Sequence, residues 1–223
     1  YTEIGNSNDW AGKANQGNSD IIMLGARGLK DPNNVYVEGW GFAPVTKALN
    51  DAFLPNDPRK WTTIIDHEEF RAEGGTVSSD VNQYTGYSVR KYHPRAGYSS
   101  TVGTEALNYK NNYRVIRFSD VLLMASEALL RSGGSVSEAQ DYYARVVKRA
   151  MGDSYKVPAV SLENIYKERR YEFAMEGIRY WDLVRTNQAK DFIKGWDDTK
   201  KYLPIPQSEI DKSDGHLVQN PHF

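Results

Sequence analysis

Residues 168–185 read Glu-Arg-Arg-Tyr-Glu-Phe-Ala-Met-Glu-Gly-Ile-Arg-Tyr-Trp-Asp-Leu-Val-Arg, and their charges fall where a solvated helix would not place them. A helix starting at Leu162 would bury one apolar face, formed by Leu162, Ile165, Tyr166 and Phe173. The same face, continued past the break at Gly177, carries the charged residues Arg169, Glu172, Glu176, Arg179, Asp182 and Arg185. Buried charges cost several kcal/mol each unless they are paired. The balance of signs therefore predicts an internal ion-pair lattice that joins one helix to the next.

A catalytic interpretation of the same residues is the alternative. Glycoside hydrolysis uses a pair of carboxylates, and Glu172, Glu176 and Asp182 would offer such a pair with one to spare. Catalytic carboxylates need an open cleft and pKa values that differ from one another, whereas the three neighbouring arginines would keep every carboxylate ionised. We therefore favour the structural lattice over a glycosidase site.

The sequence resembles the SusD/RagB family of nutrient-binding lipoproteins at the bacterial outer-membrane surface. The C-terminal signature of that family is matched by Glu168-Arg169, Glu172, Glu176-Gly177, Arg179, Trp181-Asp182-Leu183 and Arg185. Residues 117–128 resemble a family helix that ends in Ala-Glu-Ala, here with Ser126 before the Glu. Further motifs follow the expected order: Gly39-Trp40-Gly41, Asp57-Pro58-Arg59, Arg90-Lys91-Tyr92, Tyr202-Leu203-Pro204-Ile205-Pro206, Glu209-Ile210 and Gln219-Asn220-Pro221. The resemblance spans about Trp40 to Phe223.

The resemblance implies a function of capture without catalysis. Family members hold glycans on an aromatic-lined surface set in loops, and others bind peptides. They sit over a TonB-dependent (SusC-like) transporter of the outer membrane and pass the ligand to it. The binding loops vary between members, so the motifs matched here are those of the scaffold and carry no ligand residue over to this chain.

Composition sets a few further limits. The chain has 223 residues and a formal net charge of −1, which gives no electrostatic reason to expect nucleic acid as a partner. It contains no cysteine and no apolar run near the ~20 residues of a membrane helix. We read no signal peptide at its start. We expect a C-terminal portion of a longer secreted precursor, whose N-terminal half and lipid anchor lie outside this chain and supply its contact with the membrane.

The apolar pattern predicts a mainly α fold of tetratricopeptide-like stacked helix pairs, with loop-rich excursions and at most a small accessory sheet. A first helical stripe, Phe118 to Leu129, ends at Gly133-Gly134, and Ser135 with Glu138 forms a capping box for a second helix that stops at Gly152. Ser161 caps a third helix, expected to end at Gly177. Residues 113–223 would form this helical core with a C-terminal coil tail.

Residues 1–112 are expected to form a loop-rich, ligand-facing region that continues into the core as one domain. Within it, residues 44–53 read as a helix, and residues 61–65 and 87–92 read as extended strands.

Motifs for catalysis or metal binding are weak. His67, His93, His216 and His222 are scattered, and we expect solvated or hydrogen-bonded surface histidines. Asp and Asn side chains in residues 6–20 could ligate calcium, but their spacing is not that of an EF-hand and polar turns explain them better. No cofactor is predicted, with calcium as the weaker alternative.

Aromatic residues are the better indication of a binding site. The chain has 5 Trp and 15 Tyr, and such rings stack on the apolar faces of sugars while their polar edges bind hydroxyl groups. Tyr180 and Trp181 lie in a predicted helix and are assigned to the core. Trp10 stands in a polar loop without apolar neighbours, and three tyrosines lie in turn-rich stretches. The candidate ligand-binding residues are Trp10, Tyr36, Tyr84 and Tyr87, and packing of loops onto the helical body is the alternative for each.

These observations predict non-catalytic capture of an oligosaccharide at the cell surface for import through a TonB-dependent transporter. Three alternatives stay open: a peptide-binding member of the same family, a glycosidase, and a helical scaffold with protein partners alone. The sequence names neither the glycan nor the oligomeric state.

Overall fold

The computed structural model describes residues 17–223 and is mainly helical, as predicted. The α-helices in this range are α1 (Asp20–Leu24), α2 (Lys47–Asn50), α3 (Pro58–Thr63), α4 (His67–Ala72), α5 (Phe118–Ser132), α6 (Val136–Met151), α7 (Leu162–Glu172), α8 (Arg179–Arg185), α9 (Ala189–Phe192) and α10 (Gln207–Lys212). The strands are β1 (Ile64–Asp66) and β2 (Tyr87–Val89). Short 3₁₀ helices occupy Glu105–Leu107 and Asp198–Lys201.

The chain divides into two compact units, Tyr1–Met175 and Glu176–Phe223. The first contains α1 to α7 and the sheet, and the second contains α8 to α10. The border predicted between residues 112 and 113 lies inside the first unit, a few residues before α5 begins. That division stays a prediction.

Local signals at the helix ends explain the positions of α5, α6 and α7. The helix α5 ends at Gly133, which has φ 72°, a conformation that costs glycine little. The hydroxyl of Ser135 accepts a hydrogen bond from the Glu138 amide at 3.2 Å and begins α6. Ser161 caps α7 in the same way, through the Asn164 amide at 3.1 Å. These boundaries agree with the sequence prediction.

The stacking of these helices buries one apolar stripe from each. Leu123 of α5, Ala139 and Val146 of α6 and Ile165 of α7 are all 1% exposed or less. The hydroxyl of Ser126 donates to the Ala139 carbonyl at 2.7 Å and joins α5 to α6 inside this core. The arrangement is the tetratricopeptide-like helix pairing that the sequence predicted.

Three predicted element boundaries are wrong. The helix α7 ends at Glu172, not at Gly177, because Phe173 leaves the helical conformation and Met175 adopts φ 62°. The helix predicted for residues 44–53 is a single turn, α2, capped by the Thr46 hydroxyl at its start. Residues 61–63 belong to α3, because the Asp57 carboxylate accepts from the Arg59 amide and begins a helix there.

The small sheet places the residues of the candidate site. The strands β1 and β2 are antiparallel, with Ile64 opposite Val89, Ile65 opposite Ser88 and Asp66 opposite Tyr87. The Asp66 carboxylate accepts hydrogen bonds from the Glu68 and Glu69 amides, so α4 begins directly after β1. His67, the first residue of α4, therefore lies beside Ser88.

Hydrogen bonds from side chains to the main chain hold the C-terminal segment of the second unit in place. The Gln219 side-chain amide accepts from the Ile205 amide at 2.8 Å and donates to the Ile205 carbonyl at 2.9 Å. The Asn220 side chain donates to the Leu203 carbonyl at 2.6 Å. The two closing motifs noted in the sequence thus bind each other.

Candidate functional site

Glu172, the last residue of α7, is the centre of a buried ion network. It is 2% exposed. Its carboxylate lies 2.9 Å from Arg117, 2.6 Å from Arg149 and 3.3 Å from Arg59. Its main-chain carbonyl accepts from Lys91 at 2.8 Å and from Arg117 at 3.0 Å. Burial alone would raise the pKa of Glu172, but the hydrogen bond from Arg117 and the surrounding guanidinium charges hold that pKa below its usual value.

Arg59 extends this network to a second pair of carboxylates. It donates to Asp57 at 2.7 Å and also contacts Glu168, the neighbour of Glu172 one turn earlier in α7. Burial raises the pKa of Glu168 above its usual value, with the charge of Arg59 acting in the opposite direction. Burial would lower the pKa of Arg59, yet its two carboxylate partners raise it.

The six residues of the predicted lattice occur in both units. In the first unit Arg169 pairs with Asp120 of α5 at 2.5 Å. In the second unit Asp182 is buried and pairs with Arg185 at 2.8 Å, and the Arg179 guanidinium lies over the Phe192 ring at 5.0 Å. Glu176 is the first residue of the second unit, and it too interacts with another group of the chain.

Sequence reasoning missed the arginines that bind Glu172. Arg59, Arg117 and Arg149 precede Glu172 by 113, 55 and 23 residues, and none of them is among the six predicted members. Two of these arginines could have been singled out from the sequence, because Arg59 and Arg117 lie in motifs that carry the family resemblance. A carboxylate held by three guanidinium groups stays ionised and cannot act as a general acid.

A separate cleft lies where α4, β2 and the loops around residues 24–44 and 77–85 meet. Its volume is about 300 Å³ including the open solvent at its mouth. The lining residues are Leu24, Arg27, Gly41, Ala43, Pro44, His67, Val77, Ser78, Val81, Tyr84, Thr85, Tyr87 and Ser88. Two of the four predicted ligand-binding residues, Tyr84 and Tyr87, therefore share one cleft.

Tyr84 is held in place by its hydroxyl group. The hydroxyl accepts from Arg71 at 3.4 Å and lies 3.4 Å from Nδ1 of His67, whose ring centroid is 5.4 Å from that of Tyr84. Nε2 of His67 is 2.7 Å from the Ser88 hydroxyl. The ring of Tyr84 is nevertheless 40% exposed. A fixed, accessible aromatic ring of this kind is suited to stacking against a sugar.

The two histidines of the first unit are buried, which corrects the expectation of surface histidines. His67 and His93 are each 2% exposed. Burial, together with neighbouring arginines, lowers the pKa of each to about 4. Nε2 of His93 accepts from the Ala26 amide at 2.9 Å, and Nδ1 donates to the Pro94 carbonyl at 3.1 Å. His93 is a neutral structural residue.

The remaining predicted ligand residues differ in position. Tyr36 lies outside the cleft lining, with its ring 5.2 Å from His93 and the guanidinium groups of Arg90 and Arg95 over it at 6.0 and 5.4 Å. Tyr87 is half-buried and packs against the core beside the cleft. Trp10 lies outside the described residues.

Two aromatic residues were missed or misplaced by sequence reasoning. Phe42 is 68% exposed, follows the lining residue Gly41 and precedes the lining residue Ala43 in the chain, and its ring lies 5.8 Å from that of Trp40. Its only sequence signal is an apolar ring in a turn beside glycine and proline. Trp181 is 53% exposed, so its assignment to the core is wrong. Position in a helix did not reveal which face of the helix is covered.

Neither a metal cluster nor a membrane helix is found in the part of the chain that the structure describes. No three His, Asp or Glu side chains come together there in a group that would hold a metal ion. Among residues 17–223, no helix has the length and apolar character needed to cross a bilayer. The loop considered for calcium, residues 6–20, lies mostly outside this range.

The sequence profile of the SusD family matches residues 66–223. The chain belongs to the SusD family. Among curated SusD-like relatives, protein P2 of Formosa agariphila is 24% identical over 225 residues, covering 90% of this chain and 44% of that protein.

Solved SusD-like structures superpose on nearly the whole chain. A laminarin-binding SusD-like protein is 36% identical with a TM-score of 0.82, covering 96% of this chain and 46% of that one. Surface glycan-binding protein A of Bacteroides thetaiotaomicron, solved in complex with laminarihexaose, is 32% identical with a TM-score of 0.79, covering 99% of this chain and 50% of that one. This SusD-family chain thus spans about half the length of the relatives it matches.

Proposed function

We propose that this SusD-family chain takes part in non-catalytic capture of an oligosaccharide at the outer-membrane surface. The observation that carries the proposal is its similarity, over 99% of its length, to a surface glycan-binding protein solved with laminarihexaose. The relative's ligand makes a gluco-oligosaccharide the first candidate here.

The cleft supplies chemistry that suits such a ligand. Tyr84 lines the cleft and is partly exposed, and Phe42 is an exposed aromatic residue between two lining residues in the chain. Aromatic rings bind the apolar faces of pyranose units. Arg27 and Ser78 add hydrogen-bond donors to the lining. We assign Phe42, Tyr84 and Tyr87 as the ligand-facing aromatics of the described residues. Trp10 and Tyr36 stay candidates of lower rank, the latter because arginines and His93 already surround its ring.

The proposed role is binding followed by transfer, not hydrolysis. Three guanidinium groups hold the Glu172 carboxylate, which supports an ion network that fixes α7 to the rest of the first unit. We propose the same structural role for Arg169, Glu176, Arg179, Asp182 and Arg185. A TonB-dependent, SusC-like transporter in the outer membrane would receive the ligand. Affinity should then be modest, because tight binding would oppose transfer.

Titration calorimetry of this chain tests the proposal. The probes are laminarihexaose first, then a panel of plant, host and microbial oligosaccharides, then mixed oligopeptides. Saturable heat with one glycan class, with the sugar recovered intact by chromatography, is the expected result. Heat with peptides alone would place this chain among peptide-binding members of the family.

The remaining outcomes concern the other two alternatives. New reducing ends that disappear in Glu176→Gln would establish a glycosidase. Absence of heat with every probe, together with stable co-purification with a transporter, would leave a scaffold role.

A further inference from the structure

The side chains lining the cleft present hydrogen-bond donors in excess of free acceptors. The Thr85 hydroxyl donates to the Val45 carbonyl at 2.7 Å. The hydroxyls of Ser88 and Tyr84 are engaged with the two nitrogens of His67. These four side chains bind one another or the main chain. Arg27, Ser78 and the Tyr87 hydroxyl remain to meet a ligand.

Arg27 is an unpaired cation at a fixed position. Its side chain is exposed and has no hydrogen-bond, ion-pair or ring partner among residues 17–223. Its main-chain carbonyl accepts from the Ser78 amide at 3.0 Å, which holds the main chain of the two lining residues together. Gly41, at φ 76°, lets the chain pass so close that an added Cβ would lie 3.1 Å from Cβ of Arg27.

No carboxylate among the described residues lines the cleft. The carboxylate of Glu38 accepts from the amide of Gly28, the residue after Arg27, at 2.8 Å. It does not pair with the Arg27 side chain. His67 has a pKa of about 4 and is neutral at pH 7. The formal charge of the lining at neutral pH is therefore that of Arg27 alone.

A group that only accepts hydrogen bonds matches this arrangement best. A guanidinium group has donors and no acceptor, and it binds the oxygens of a carboxylate or an oxyanion in pairs. The Ser78 hydroxyl accepts from the Asp80 amide at 3.1 Å, and its O–H is available to donate to a ligand. A sugar hydroxyl brings a proton of its own that needs an acceptor, whereas carboxylate and sulfate oxygens bring none.

We propose that this cleft selects an oligosaccharide that carries an anionic substituent, a carboxylate or a sulfate ester, bound by Arg27 and Ser78. The rings of Phe42 and Tyr84 would contact the sugar that bears it. This inference rests on the proposed glycan binding and adds the class of glycan.

Calorimetry with three probes on one backbone tests it. The probes are laminarihexaose, the same hexaose carrying sulfate esters, and the hexaose oxidised at C6 to carboxylates. At least one acidic probe should bind about tenfold more tightly than the neutral hexaose in low salt, since charge-assisted hydrogen bonds are the stronger ones. The advantage should shrink as ionic strength rises. Whichever acidic probe binds more tightly identifies the substituent.

Two variants separate the role of Arg27 from a general effect of positive charge. Arg27→Ala should abolish the advantage of the acidic probes over the neutral hexaose, and Arg27→Lys should keep part of it. Lys30→Ala removes a nearby exposed cation that does not line the cleft and should leave all three affinities unchanged. Circular dichroism checks that each variant is folded.

The outcomes are distinguishable. Equal affinities for the neutral and acidic probes, or an acidic advantage that survives in Arg27→Ala, would overturn the anionic selectivity and leave the proposed glycan capture standing. Absence of binding by all three probes to a folded chain would overturn this inference and count against the proposed function as well.

Discussion

Nη2 of Arg149 lies 2.7 Å from one carboxylate oxygen of Glu172 and 2.6 Å from the other. The arginine is in the last turn of α6 and the glutamate is the last residue of α7. A single guanidinium nitrogen thus binds both oxygens of a carboxylate that Arg117 and Arg59 also approach. The ends of two stacked helices are therefore joined by charge.

Replacing Glu172 by Gln should destabilise the protein strongly. The variant keeps the shape of the side chain but leaves three guanidinium groups without their shared anion, and breaking a buried ion pair costs about 3–5 kcal/mol. Urea unfolding at pH 7 should show this loss. The matched control is Glu163→Gln, which removes an exposed carboxylate paired with Lys167 and should change the unfolding midpoint little, because solvent screens such a pair. Equal small effects would contradict the central role of Glu172.

Glu168 and Glu172 should respond to acid in opposite directions. The pKa of Glu172 is lowered by its arginines, so its stabilisation is complete above the ordinary glutamate pKa of 4.5 and is lost as pH falls through the lower folded pKa. The pKa of Glu168 is raised by burial, so the fold gains stability as pH falls through that raised value.

Glu172→Gln should therefore lose the most free energy of unfolding, relative to the unchanged protein, at neutral pH and less in acid. Glu168→Gln should lose less free energy of unfolding at pH 7 than in acid, and its loss should grow as the pH falls towards 4.5. Urea unfolding midpoints measured between pH 7.5 and pH 4 would check both slopes. Parallel slopes for the two variants would contradict this assignment.

Stability should also fall between about pH 6.5 and pH 4 because of His93. The pKa of His93 is about 4 in the folded protein, against 6.5 for an ordinary histidine. In this window the unfolded chain therefore binds a proton that the folded chain does not. Protonation of Nε2 would abolish its acceptance of the Ala26 amide. An NMR titration of the imidazole should show His93 neutral at pH 5.5, and a midpoint near 6.5 would refute this.

Gly39→Ala should destabilise the first unit by about 1–3 kcal/mol, the usual cost of overpacking a well-packed site. A Cβ at Gly39 would lie 2.3 Å from Cα of Gly25, where two main-chain segments meet. The control is Gly134→Ala, whose added Cβ meets the flexible end of the Leu129 side chain at 2.9 Å. Thermal unfolding should show a lower melting temperature for Gly39→Ala than for Gly134→Ala, because main-chain atoms move aside less easily than the end of a side chain. Equal melting temperatures would contradict the close approach of the two main-chain segments.

Binding should depend on Phe42 and Tyr84 more than on exposed rings elsewhere. Phe42→Ala and Tyr84→Ala should each weaken binding of the cognate oligosaccharide by about tenfold, on the scale of one aromatic stacking contact. Phe118→Ala is the matched control, since that residue is 63% exposed and neither it nor its neighbours in the chain line the cleft. Calorimetry would check this, and unchanged affinity in both variants would remove the cleft as the binding site.

The helices could be predicted from sequence because their signals are local. Ser135, Ser161 and Gly133 each act within four residues of themselves, and the apolar stripes of α5, α6 and α7 repeat with the helical period. Element ends that depend on the surrounding structure, such as the exit from α7 at Phe173, could not be read in this way.

The candidate site could be predicted only in part, because its residues meet from distant segments. Composition and turn context pointed to Tyr84 and Tyr87 as candidates, but nothing in the sequence places Arg27 in the same cleft. The buried positions of His67 and His93 depend on contacts that no local pattern reports.

The ion network has a consequence for synthesis of the chain. Asp57 and Arg59 can pair as soon as both have left the ribosome, whereas Glu172 follows Arg59 by 113 residues. Until that residue emerges, Arg59, Arg117 and Arg149 lack their common anion, although α5 and α6 can already pack through their apolar stripes. Such distant contacts slow folding. Vectorial synthesis therefore leaves the ion network of the first unit incomplete until α7 has been made.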